Sequence, residues 1–386
     1  MQHADQVAYI ERMLGMARAN ARDAGDLSYC PVEEYFDDKR FAREQEILFR
    51  KYPIVVGFSA QLRKPGDFLT NNDTGQAILV TRGLDGKLRA FLNVCRHRTA
   101  TVELAACGSN KRAFVCPYHG WTYDLTGRLV GITDGAWFGD VDKSAHGLKP
   151  LAVAERCGLV FVVPSVLEPG QEAEGRADLD MDGFLGPVKD DLKSWDMQSW
   201  EVQSTTPLRP RMNWKLVIDT FLELYHFRYL HMKSVAPLFL DNITSYERRG
   251  QHSRFAVCKP SLLEVENQPR ESWRLRDHAV VLYNLFPNTV LAYTADHCGV
   301  FTSYPVTPDE SLINVSVLVD PVERVKRDEA YWKTNQDLIL AALDEDFTVG
   351  ASIQANFRSG ANKVQTFGKF EKALGWYHQD LTNALA

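Results

Sequence analysis

Apolar side chains at Val7, Ile10, Met13, Leu14 and Ala17 recur at near-helical spacing, which predicts an amphipathic helix over residues 5–22. Phe41–Arg50 has the pattern of a second, shorter helix. From Tyr52 to about Val163 the helical pattern gives way. Short β-rich runs at Ala77–Val80, Leu88–Val94, Ala113–Val115 and Gly158–Val163 alternate with Gly-containing turns, the rhythm of small antiparallel sheets. Pro164 to about Lys193 is acidic and rich in Gly and Pro, and reads as a linker. Helical pattern then dominates 212–231, and strand-like runs fill about 252–320, among them Ala279–Tyr283, Thr289–Tyr293, Gly299–Pro305 and Ile313–Val319. A long helical stretch follows from Pro321 to about Phe357. An antiparallel sheet wrapped on that helix, an α+β helix-grip arrangement, accommodates the order. The expected organisation is N-terminal helices over 1–44 packing on the second domain, a β-rich domain over 45–165, a linker over 166–193 and an α+β domain over 194–386.

Composition narrows the classes. At 386 residues the chain favours two domains. A net charge of −6, with no basic cluster, gives no electrostatic case for nucleic acid. Met1–Gly25 lacks the charged start and apolar run of a signal peptide, and no apolar run approaches the ~20 residues of a membrane span. Cys30, Cys107, Cys157, Cys258 and Cys298 are scattered and odd in number, which suits reduced thiols in a cytoplasm.

Chemistry enters at Cys95-Arg96-His97-Arg98 and, with eighteen residues intervening after His97, Cys116-Pro117-Tyr118-His119-Gly120-Trp121. Cys-x-His followed by Cys-x-x-His is the donor set of a Rieske [2Fe–2S] cluster, with two thiolates on one iron and two imidazoles on the other. Zinc is the competing reading, although its pairs usually come as Cys-x₂₋₄-Cys and His-x₃₋₅-His. Pro117-Tyr118 and Gly120-Trp121 also resemble the Rieske family's second loop, which shields the cluster and offers a Tyr hydroxyl to its sulfurs. Thr99 stands where relatives often have Gly.

A second constellation lies in Asn213–His231. Asp219, Glu223 and His226 fall at i, i+4 and i+7, one face of a helix. His231, five beyond His226, would point about 140° away on a regular helix. The two imidazoles can share a metal only if the helix ends or distorts near Phe227–Leu230. A polar surface face is the plainer reading of this segment alone.

A Rieske motif followed by Glu-x-x-His-x₄-His strongly resembles the α subunits of Rieske non-haem iron oxygenases, over about residues 28 to 380. The resemblance implies an N-terminal Rieske domain holding its cluster on Cys95, His97, Cys116 and His119. It implies mononuclear Fe(II) on His226, His231 and a late carboxylate, with O₂ as co-substrate. Asp346, eight residues before Gln354, matches the family's ligand position; Asp344 and Glu345 are the alternatives, since three acids in a row leave the register open. Most ring-hydroxylating members have Asp where this chain has Glu223, and similar Glu residues occur in relatives that oxidise carnitine and betaine-like amines. Glu223 is expected to bridge His226 to His119 of a neighbouring subunit in a head-to-tail homotrimer, with Asp219 positioning water or tuning the iron ligands. A separate NAD(P)H-dependent reductase, with or without a ferredoxin, is implied as electron donor, and a small β subunit is an optional partner. The main expectation is hydroxylation or dihydroxylation of a small, mostly apolar, aromatic substrate. The alternative is oxidative N- or O-demethylation of an amine or quaternary ammonium, for which Phe221, Phe227, Tyr283, Tyr293 and Phe301 are candidate cage aromatics. Three irons per chain would mark an oxygenase, two a Rieske electron carrier, and none a hydrophobic-ligand binding module.

Overall fold

Short apolar runs between Ile54 and Val166, rich in Val, Ile, Leu and Phe, become a seven-stranded antiparallel sheet in the computed structural model, which describes residues 1–167 and 179–386. Its spatial order is Ile54–Phe58, Leu159–Val166, Pro150–Arg156, Leu88–Leu92, Ile78–Arg82, Phe68–Asn71 and Cys107–Gly108. A three-stranded sheet, Ala113–Val115, Thr122–Asp124 and Leu129–Gly131, shares a core with it. Phe68, Leu79, Phe91, Phe114, Trp121 and Tyr123 fill that core, and Cys95 and Cys116 are built into it. These elements form one unit, Glu46–Phe184; Met1–Gln45 and Leu185–Ala386 form the other.

In the second unit a seven-stranded antiparallel sheet runs Glu201–Leu208, Glu310–Val319, His297–Thr307, Thr289–Tyr293, Ala279–Leu285, His252–Cys258 and Glu247–Arg249. Alternation sorts its side chains by face. Leu282, Ala292 and Gly299 are cross-strand partners in one row, and all three line a cavity under the helix Glu329–Asn356. Tyr283 and Tyr293 fall on the opposite face, against Trp195.

Several expectations shift. The opening helix is His3–Ala19, closed at Asn20 in the left-handed region, and the next is Asp38–Lys51. Of the expected linker, 168–178 lie outside the described residues. Beyond them Met181–Leu185 and Val188–Ser194 are helical, with Leu185, Val188 and Leu192 buried. Their apolar stripe was masked by the acidic residues between. The late helix divides into Pro321–Arg324 and Glu329–Asn356, the latter started by Asp328, whose carboxylate accepts from Tyr331 N at 2.8 Å.

The single helix expected over 212–231 does not form. Trp214–Asp219 and Phe227–Leu230 are separate, and the break falls at 220–226, earlier than its expected place at Phe227–Leu230. Glu223 supplies the reason: its carboxylate accepts from the backbone N–H groups of Tyr225 and His226, replacing helix bonds with side-chain bonds. Asp219, Glu223 and His226 therefore do not share a helix face. Among the described residues no helix is long and apolar enough to cross a membrane.

Candidate metal centres

Two matching loops carry the first centre. Thr99 N donates to Cys95 O at 3.0 Å and Cys95 N to Ala100 O at 2.8 Å; Gly120 N donates to Cys116 O at 3.0 Å and Cys116 N to Trp121 O at 2.9 Å. The fifth residue of each loop turns the chain with positive φ, 59° at Thr99 and 70° at Gly120. Thr99 thus holds a conformation suited to Gly, and a β-branched side chain is strained there.

Each loop delivers one buried Cys and one half-buried His. The imidazoles of His97 and His119 meet edge to face, with ring centroids 4.7 Å apart, and Trp121 stacks on His97 at 5.0 Å. His97 Nδ1 is buried without a hydrogen-bond partner among the described residues. Burial, then His119 and Arg98, lower the His97 pKa, so its ring stays neutral as a metal ligand must. Burial raises the pKa of Cys116 beside Cys95. Two thiols and two imidazoles, one with an orphaned ring nitrogen, fit the [2Fe–2S] group. The hydroxyl near sulfur is that of Tyr123, 3.4 Å from Cys95 Sγ and 2.9 Å from Arg96 N. Tyr118 of the expected Pro-Tyr pair is exposed and stacks on His119 instead.

The second centre forms at the helix break. His226 and His231 bracket the turn Phe227–Leu230, and their rings lie 5.1 Å apart at 69°. Both Nε2 atoms face Asp346 Oδ1, at 3.5 Å from His226 and 3.2 Å from His231. His226 Nε2 is buried and has no hydrogen bond among the described residues. Each Nδ1 meets another carboxylate: Glu223 Oε1 for His226, and Glu345 Oε2 at 2.6 Å for His231. Ser234 Oγ donates to the same Glu345 oxygen at 2.6 Å. Two imidazoles and one carboxylate around an orphaned nitrogen, with carboxylates orienting both rings, fit Fe(II). Burial disfavours the charged His231 ring, yet Asp346 and Glu345 hold its pKa above the ordinary value; a metal competes for the place of that proton.

The helix Glu329–Asn356 separates the three acids. Asp346 is buried against the histidines, Glu345 orients His231, and Asp344 is exposed. Glu223 bonds His226 as expected within the chain. Asp219 corrects the expectation of a shared helix face: its bonds run to Tyr35 (2.6 Å) and His378 (3.0 Å), and its helix ends before the turn that carries His226.

Over the triad lies a cavity of about 550 Å³. Phe221, Phe227 and Phe301 line it, as do Phe239 and Tyr331, which sequence reasoning missed. Asp296 and His297, at the strand turn beside Thr294, line it too. Asp296 is buried, which alone would raise its pKa, but His297 (2.7 Å), Tyr331 and Thr294 (3.1 Å) hold it well below the carboxylate range. Lys259 and Arg327 also line the cavity, although no cation could be placed there from the sequence.

The family description Rieske [2Fe-2S] domain matches residues 52–136, and Ring hydroxylating alpha subunit (catalytic domain) matches residues 197–386. The glycine betaine monooxygenase oxygenase subunit of Chromohalobacter salexigens is 35% identical over 95% of this chain and 91% of its own. A quaternary ammonium Rieske monooxygenase in complex with L-carnitine superposes with a TM-score of 0.72 at 20% identity, covering 94% of this chain and 96% of that one. Naphthalene 1,2-dioxygenase from Rhodococcus sp. gives the same TM-score, 0.72, at 17% identity and 98% coverage of both. The fold is therefore common to both chemistries. The expected aromatic substrate is matched by fold alone, whereas the sequence relative is named for glycine betaine.

Proposed function

The chain belongs to the Rieske oxygenase α-subunit family, and from that premise we propose that it is the terminal oxygenase for oxidative N-demethylation of a small trimethylammonium carboxylate. Bound at these two centres, a Rieske cluster and a mononuclear iron supply electrons one at a time and activate O₂. An electron-donating reductase serves the cluster. The balanced reaction consumes the trimethylammonium compound, O₂, two electrons and two protons, and yields the protonated dimethylamine, formaldehyde and water.

The observation that carries this reading is the lining of the cavity over the triad. Phe221 and Phe301, with centroids 4.7 Å apart, join Phe227, Phe239 and Tyr331 as π faces, and the buried carboxylate Asp296 stays ionised among them. Such a wall suits a quaternary ammonium, which accepts no hydrogen bond and is held by π faces and a fixed negative charge. Arg327 and Lys259 of the same cavity supply the countercharge for a carboxylate. His226, His231 and Asp346 hold the iron, with Glu223 and Glu345 fixing the rings. Glu223 also serves as the link to His119 of a neighbouring subunit in a head-to-tail trimer, whose ring closure is heterologous.

The test is steady-state formaldehyde release with a surrogate reductase, comparing trimethylammonium carboxylates with their neutral tert-butyl isosteres and with naphthalene. Formaldehyde from the cationic series alone is expected. Diol from naphthalene with inert trimethylammonium compounds would overturn the reading.

A further inference from the structure

The strand Ser28–Pro31, the 3₁₀ turn Val32–Tyr35 and the helix Lys372–Leu385 bring together Cys30, Glu34 and His378. Cys30 and His378 are buried, 1% and 6% exposed, and the Glu34 side chain is 13% exposed. Cys30 Sγ lies 3.4 Å from His378 Nδ1 and 3.7 Å from Glu34 Oε2, and Glu34 Oε2 lies 3.7 Å from His378 Nδ1. We propose that these three side chains are the protein ligands of a zinc site whose fourth position is taken by water, separate from both iron centres.

Three observations carry it. The first is size. Tetrahedral zinc with its usual bond lengths, about 2.3 Å to sulfur and about 2.0–2.2 Å to nitrogen and oxygen, separates its ligand atoms by about 3.3–3.6 Å. The three edges here, 3.4, 3.7 and 3.7 Å, need only a few tenths of an ångström of closure. The edges measured in the iron triad, 3.2 and 3.5 Å, are alike.

The second is orientation. His378 Nε2 lies 3.0 Å from Asp219 Oδ1, and Tyr35 Oη donates to Asp219 Oδ2 at 2.6 Å. A carboxylate on the far ring nitrogen is how metal-binding histidines are held: it keeps the proton on Nε2 and turns the Nδ1 lone pair toward Cys30 and Glu34. This gives Asp219 a ligand-orienting role.

The third is charge. The network contains the carboxylates of Glu34, Glu44 and Asp219. Against them stand Arg40, 2.7 Å from Glu34 and 3.1 Å from Glu44, and Lys215, 2.9 Å from Glu44. Three carboxylates and two cations leave one negative charge. Ionising Cys30 as the zinc enters, with its thiol proton released to solvent, makes two, which a divalent cation neutralises. Zinc is the metal that thiolate, imidazole and carboxylate together favour. It would tie strand Ser28–Pro31 to the C-terminal helix.

The competing occupant is a proton on His378, and metal analysis separates the two. Full-length protein is produced with iron and zinc supplied, then assayed by elemental analysis and by zinc-edge X-ray absorption. The expected result is one zinc per chain, with one sulfur neighbour at about 2.3 Å and the rest nitrogen or oxygen. Cys30→Ser should cut zinc content at least tenfold and leave iron unchanged, while His226→Ala should keep the zinc. Wild-type protein without zinc, zinc lacking a sulfur neighbour, or zinc lost in His226→Ala would overturn the proposal. The last result would mean zinc had loaded the iron triad. Should Cys30→Ser fail to fold, the wild-type sulfur neighbour decides alone.

Discussion

Replacing Glu345 by Ala tests how the catalytic iron is oriented. The substitution deletes the acceptor 2.6 Å from His231 Nδ1 and the 2.6 Å bond from Ser234, but no iron ligand. His231 is then free to rotate about its side chain, and its Nε2 no longer holds its place 3.2 Å from Asp346. Loss of such a carboxylate behind a metal-bound histidine costs about 10–100-fold in metal affinity, or about 1.4–2.7 kcal/mol. Glu345→Gln keeps a neutral acceptor and should lose about half that free energy. Asp344→Ala, at an exposed neighbouring position, should lose none. The assay is equilibrium dialysis of metal-depleted protein against buffered Fe(II), with the Rieske spectrum as an internal count of intact chains. Wild-type affinity in Glu345→Ala, or an equal loss in Asp344→Ala, would refute the arrangement of the three acids.

Other substitutions probe the rest of the account. Glu223→Gln, beside His226, should retain three irons per chain yet sharply slow product formation; unaltered turnover would sink the bridging role. Thr99→Gly should relieve left-handed strain of about 1–2 kcal/mol at an entropic cost of about 0.5–1 kcal/mol, raising the temperature at which the cluster bleaches. Gly120→Ala, at the matching position, should lower that temperature, since its Cβ collides with Thr133 Oγ1; shifts of the same sign would contradict the loop equivalence. Gly299→Ala places a methyl 2.9 Å from the Phe301 ring and should raise KM more than it lowers kcat, because the ring is pushed into the cavity. Asp296 is held ionised with a depressed pKa, so its contribution to folding is complete above the ordinary carboxylate pKa and is lost only as pH falls well below it. Asp296→Asn should accordingly raise KM for a cationic substrate by an amount that stays constant from about pH 6 to 8; an effect that titrates in that range would contradict it.

Ligand spacing made the first centre legible in the sequence, because Cys-x-His and Cys-x-x-His are local patterns, whereas Glu-x-x-His-x₄-His became legible as a metal site only through the family resemblance that the first motif opened. From the residues alone Asp346 was one of three acids, since its selection depends on the rotation of a helix whose contacts are distant in the chain; the family resemblance singled it out. The helix break was foreseen from the 140° misfit of His231 but placed too late. Glu223 was weighed as a metal-site acid, not as an acceptor for two backbone N–H groups. Asp219 was assigned to the iron by helical periodicity, which fails once the helix ends at that residue. Asp296, Lys259 and Arg327 were illegible because strand register and helix placement decide which polar groups reach the cavity.

A single-turnover experiment tests the central claim most directly. Protein carrying three irons per chain is reduced chemically, freed of reductant, and mixed with a trimethylammonium carboxylate and O₂ without any reductase. The account predicts formaldehyde and the dimethylamine in equal amounts, approaching one of each per mononuclear iron, with reoxidation of the cluster. Cluster reoxidation with O₂ consumed but neither product formed, under conditions where an aromatic substrate yields diol, would contradict it.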